Sequence, residues 1–122
     1  MGLDQYAYTR SHDQNPEDVK PQFVWRKHAK LQEWAEQLFV EKTENFADQL
    51  NCNELVLELE DIKALERLVQ TSALPASEGG FFYGHQFQDE SSKEYRAQDL
   101  EFCDWAKAQI KEGHIVYYSC WW

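Results

Sequence analysis

The chain is short of cysteine, proline, glycine and basic residues, and it has no long apolar run. Its three cysteines, Cys52, Cys103 and Cys120, form no Cys-x-x-Cys and no close pair. That excludes a disulfide framework and points to reduced, mostly buried thiols in a cytoplasmic setting. No stretch approaches the roughly 20 apolar residues of a membrane-spanning helix, and "MGLDQYAYTR" has no apolar leader run, so no membrane association is expected. The four histidines (His12, His28, His85, His114) show no His-x-x-x-His spacing, which gives no reason to expect a metal or another cofactor. Gly-x-Ser-x-Gly, a phosphate loop and a dinucleotide glycine fingerprint are all missing. A binding protein is therefore expected ahead of an enzyme.

Bases are outnumbered 12 to 22, for a net charge of −10. The imbalance is uneven: residues 1–30 carry five bases and four acids, and residues 31–122 carry seven bases and 18 acids. A field of that sign repels phosphate backbones and disfavours direct nucleic-acid binding. It suits solubility, and it suits a basic protein partner. Mimicry of nucleic acid by an acidic stripe is a lesser alternative, because acidic helix faces are usually just solvated.

Apolar residues make up 43% and aromatic residues 15% of the 122. A chain of this length and composition builds one domain, residues 1–122, without metal or disulfide staples. Residues 3–9 alternate, with Tyr6 and Tyr8 opposite Leu3, Gln5 and Ala7, and read as a strand. Residues 10–21, "RSHDQNPEDVKP", read as an exposed loop. Residues 22–40 read as a helix with Val24, Leu31, Trp34, Ala35 and Leu38 in an apolar stripe. A brief extended segment is expected at 54–57, a second helix at 59–71 and a third at 93–111, with Gly113 as its C-terminal cap. Residues 114–121, "HIVYYSCW", are apolar on both faces and read as a central closing strand. The expected fold class is α+β: about three helices on a small, mostly antiparallel sheet, with the first and last strands adjacent.

The most site-like segment is "LPASEGGFFYGHQFQDESS". Gly79, Gly80 and Gly84 permit turns, and the alternation through Phe87 suits a hairpin strand carrying Tyr83 and His85 on one face. As a site it would have aromatic walls, a titratable imidazole at His85 and a carboxylate at Asp89 or Glu90; as plain structure its rings would fill the core. "WRKHAK", residues 25–30, is the local basic cluster. Trp25, Arg26 and Lys27, with Tyr83 and His85, are the candidate binding residues. A small enzyme or ligand-binding domain built near Gly79–His85, with Arg26 or Lys27 holding an anion, is the alternative to a protein-binding module. Surplus aromatics left exposed would form a patch for a partner or for self-association.

Several segments occur together in a fixed order: "MGLDQYAY", "WRKHAKLQEW", "NCNELVLELEDIKALERL", "LPASEGGFFYG", "YRAQDLEFCDWA" and "VYYSCWW". Over nearly its whole length the chain resembles a family of small bacteriophage and prophage proteins. These open with Met-Gly-Leu-Asp-x-Tyr, carry Trp-Arg-Lys and a Gly-Phe-Phe-Phe-Gly-like turn after Leu-Pro, and finish in Tyr-x-Ser-Ser-Trp. Here Tyr83 replaces the third phenylalanine and Cys120 the second serine, so no hydroxyl role carries over to position 120. The family has no established activity, and the resemblance implies no catalytic residue. It implies action in the cytoplasm of an infected bacterium on a host component. It also draws attention to Asp4, Tyr6, Trp25, Arg26, Lys27, Phe81, Phe82, Tyr83, Asp99, Trp121 and Trp122. An ion pair of Asp4 with Arg26 or Lys27 would be structural.

Overall fold

The structure, a computed structural model, describes residues 3–11, 15, 19–77 and 87–122. Four strands form one antiparallel sheet in the order β2-β1-β4-β3. They are β1 (Asp4–Arg10), β2 (Phe23–Arg26), β3 (Glu54–Leu57) and β4 (Ile115–Trp121). Three α-helices accompany them among the described residues: α1 (Ala29–Thr43), α2 (Leu59–Gln70) and α3 (Gln88–Lys111). The fold is α+β, and the first and last strands are neighbours.

The β1–β4 ladder is the longest, running from Asp4↔Trp121 to Arg10↔Ile115. Strand β4 also pairs with β3, so its two apolar faces belong to a central strand, as its composition requires. Alternation then sorts the side chains. Leu3, Gln5, Ala7, Trp25, Leu55, Leu57, Val116, Tyr118 and Cys120 point inward and are buried. They meet Leu31 and Ala35 of α1, Ile62, Leu65 and Val69 of α2, and Phe102, Cys103 and Ala106 of α3.

One expectation needs correction. The helix read over 22–40 begins only at Ala29, and Phe23–Arg26 is strand β2. Phe23-Val24-Trp25-Arg26 alternates as well as it fits a helical stripe. Pairing with β1 decides the matter, through Gln22 N–H to Ala7 C=O (2.8 Å) and Lys27 N–H to Leu3 C=O (2.9 Å). Lys27 then takes φ 56°, a left-handed value that no right-handed helix passes through. Helix α3 starts at Gln88, five residues before the expected 93, with Asp89 and Glu90 in its first turn, where the helix dipole favours acids. The hairpin strand expected through Tyr83 and His85 lies outside the described residues.

Helix α2 is tied at its start by the Glu58 N–H, which donates to the Asp61 carboxylate at 2.8 Å. At its end Ser72 takes φ 54°, and Ala73 N–H closes back on Leu68 C=O at 2.8 Å. That left-handed reversal is normally given to glycine.

Candidate functional site

Inward-facing polar residues build a connected network through the interior. Trp25 points from β2 into the core, and its indole N–H donates to Asp99 Oδ1 at 2.8 Å. His28, immediately before α1, places Nε2 2.8 Å from Asp99 Oδ2. The Asp99 carboxylate therefore joins β2, the start of α1 and the middle of α3. His28 and Asp99 are 0% and 1% exposed, and His28 Nδ1 is buried without a hydrogen-bond partner among the described residues. A proton on Nε2 fits this setting, since it points at the Asp99 carboxylate, whereas a proton on Nδ1 would be an unmatched buried donor. The ring stacks on Tyr95 at 5.2 Å, and the Tyr95 hydroxyl is held by the backbone of Arg26.

A second branch leaves from Gln5. Its side-chain amide donates to His28 C=O (3.1 Å) and accepts from His28 N–H (2.9 Å), like one more rung of backbone. Gln5 also donates to the Tyr118 hydroxyl (3.0 Å), which in turn donates to Gln32 Oε1. Gln32 reaches the Cys120 thiol at 3.5 Å. Burial pushes the Cys120 thiol up to about 12, and burial together with the charge of Glu66 does the same for Cys103. Both are inert at neutral pH. The network is buried, and its role is to lock elements together.

Asp99 has a second aspect, since it also lines a surface cleft. This cleft has a volume of about 210 Å³ and lies between the C-terminal end of α2 and the first half of α3. Leu68, Val69, Ser72 and Leu74 form one wall; Asp89, Ser92, Lys93, Arg96 and Asp99 form the other; Lys30 closes it. Lys30 lies 2.9 Å from Asp89. The hydrogen bond from Lys30, then its charge, holds the Asp89 carboxyl below the ordinary carboxylate range. Lys93 and Arg96 have no carboxylate within ion-pair distance among the described residues. Arg96 donates one N–H to Gln70 C=O at 3.3 Å.

The open face of the sheet is a different kind of surface. Tyr8 and Tyr117 stack at 4.9 Å with their planes 9° apart, and Tyr6 lies 6.3 Å from Tyr8. Arg10 lies over Tyr117, 5.4 Å from the ring centroid, and pairs with Glu54 at 3.5 Å. Val24, Val56 and Trp121, on the same face, are 50%, 45% and 63% exposed. Burial raises the Tyr8 and Tyr117 phenols above their ordinary value, so both stay neutral.

The structure separates the candidates drawn from the sequence. Trp25 is in the core, while Arg26, the next residue, points out of the open face and lies only 3.8 Å from Asp4. Lys27 is exposed at the turn into α1. Tyr83 and His85 lie outside the described residues. Sequence reasoning missed Lys93 and Arg96, and it did not foresee that Lys30 of the basic cluster pairs with Asp89. One signal was present: positions 89, 92, 93, 96 and 99 fall on a single helical face and are all polar. Among the described residues no helix is long and apolar enough to cross a membrane. No family model, curated protein or solved structure matches the chain.

Proposed function

We propose that this chain is a non-enzymatic binding protein that engages a protein partner through the open face of its sheet. The observation that carries this reading is the half-buried pair Tyr6 and Tyr8, with Tyr8 stacked on a buried Tyr117, and with Trp121, Val24 and Val56 exposed around it. Apolar groups left in water on one face of a sheet favour association, and rigid aromatics supply contact area at little entropic cost. Arg10, Arg26, Asp4 and Glu54 rim the patch with both signs of charge, a pattern that orients a partner. The net charge of −10 favours a basic partner and disfavours nucleic acid. The resemblance to phage and prophage proteins supports a host component as that partner and the cytoplasm of an infected bacterium as the place of action.

The test is affinity capture from a bacterial lysate at increasing salt, comparing the native chain with a Tyr8→Ala/Trp121→Ala variant whose folding is checked by circular dichroism. The native chain is expected to retain a defined partner that the variant loses. Equal capture by both, or no specific capture at low salt, refutes the reading.

A further inference from the structure

We propose that the cleft between α2 and α3 binds a small amphiphilic anion, its carboxylate or phosphate head held by Lys93 and Arg96 and its apolar body lying against Leu68, with Val69 and Leu74 buried behind it. The site is on different elements from the sheet face, and the inference does not depend on the partner reading.

The cleft-facing stripe of α3 runs Asp89, Ser92, Lys93, Arg96 and Asp99. Further along the same helix, the corresponding positions are Cys103 and Ala106, which are buried. An inward helical face normally turns apolar side chains toward its neighbour. Here the neighbour presents Leu68, Val69 and Leu74, and what faces them is charged. A pocket with one apolar wall and two exposed cations, Lys93 and Arg96, on the other matches a ligand with an apolar body and an anionic head.

Charge sharpens the assignment. In a chain with 22 acids and 12 bases, this cleft gathers three bases, Lys30, Lys93 and Arg96, against two acids, Asp89 and Asp99. Lys30 is neutralised by Asp89. Lys93 and Arg96 stand one turn apart, where like charges repel, and an anion between them relieves that repulsion. Arg96 commits one nitrogen to Gln70, leaving the rest of its fork for an oxyanion. Ser72 and Ser92 add hydroxyl donors. The Asp99 oxygens already accept from Trp25 and His28, so the floor of the cleft offers negative charge and no free donor. That selects a ligand with one anionic end near the rim and none deeper.

The experiment is a ¹⁵N–¹H correlation titration of the full chain with four probes: acetate, hexanoate, inorganic phosphate and butyl phosphate. Hexanoate and butyl phosphate are expected to give saturable shifts at Ser72, Ser92, Lys93 and Arg96. Each methylene that reaches the apolar wall tightens binding by up to about fourfold, so each tailed probe should exceed its headgroup alone by about tenfold. Preference between the two tailed probes identifies the head group. Arg96→Gln is expected to weaken binding by about tenfold without moving the unfolding midpoint, and Arg96→Lys to recover part of the loss. Lys63→Gln, an exposed cation of α2 outside the cleft, should change nothing. No saturation by any probe up to about 10 mM, weaker than the millimolar range, overturns the proposal. So does saturable binding that Arg96→Gln leaves intact, or equal affinity for tailed and bare anions.

Discussion

Helix α3 carries one seam along its length, at positions 89, 92, 96, 99, 103, 106 and 110, but the two halves of that seam face different solvents. The first half reads Asp, Ser, Arg, Asp and lines a cleft open to water. The second reads Cys, Ala, Ile and, with Phe102, packs into the core. Spacing makes both halves helical; composition decides which half is dry. The change of medium falls at Asp99, a carboxylate that is 1% exposed and is tolerated there because two ring N–H groups meet its two oxygens. Periodicity alone therefore identifies a helix without saying what its inner face touches.

The sharpest way to break this comparison is to empty the dry half. Phe102 is 1% exposed and packs edge-on against Trp25 at 5.3 Å and Phe23 at 5.6 Å. Phe102→Ala is expected to cost about 3–5 kcal/mol in urea unfolding. A loss below about 1 kcal/mol would mean that the second half is no drier than the first. Next in size is the boundary residue. Asp99→Ala orphans the Trp25 and His28 donors and should cost about 2–4 kcal/mol, whereas Asp99→Asn, which keeps one acceptor oxygen, should cost less. Equal losses for the two variants would show that charge, not hydrogen bonding, holds the junction.

The smallest effect, taken per pH unit, is a pH slope. The Cys103 thiol ionises near 9 when unfolded and at about 12 when folded, because of burial first and of Glu66 and Asp99 after it. Between those values the unfolded chain releases a proton that the folded chain keeps. Stability therefore falls as pH rises from 9 toward 12, by up to about 1.4 kcal/mol per pH unit for this thiol. Urea unfolding across that range should give a shallower slope for Cys103→Ala than for the native chain. An unchanged slope would place water at Cys103.

Much of the architecture was legible in the sequence because it is written in local alternation. Residues 3–9 show a period of two, residues 114–121 are a short run apolar on both faces, and they pair as β1 and β4. The run 59–71 shows helical spacing and Gln70 ends it as α2. Strand β2 was not legible, because four residues reading Phe-Val-Trp-Arg satisfy both periods and only pairing with β1 chooses between them. The candidate sites were less visible still. Asp99 meets Trp25 and His28 across 74 and 71 residues, and no local pattern encodes such a meeting. Arg96 and Lys93 looked like ordinary members of a solvated helix until the fold set Leu68 and Val69 opposite them.

The central ladder joins Ala7 to Tyr118. During synthesis β1 emerges first, and its long-term neighbour emerges more than a hundred residues later. Until Ile115–Trp121 has cleared the ribosome, β1 has only the four residues of β2 beside it. Its other edge, with Gln5 and its amide, is open to any strand that drifts past. Such distant closure is slow, so the nascent chain spends its longest and most vulnerable interval with half of its sheet unbuilt.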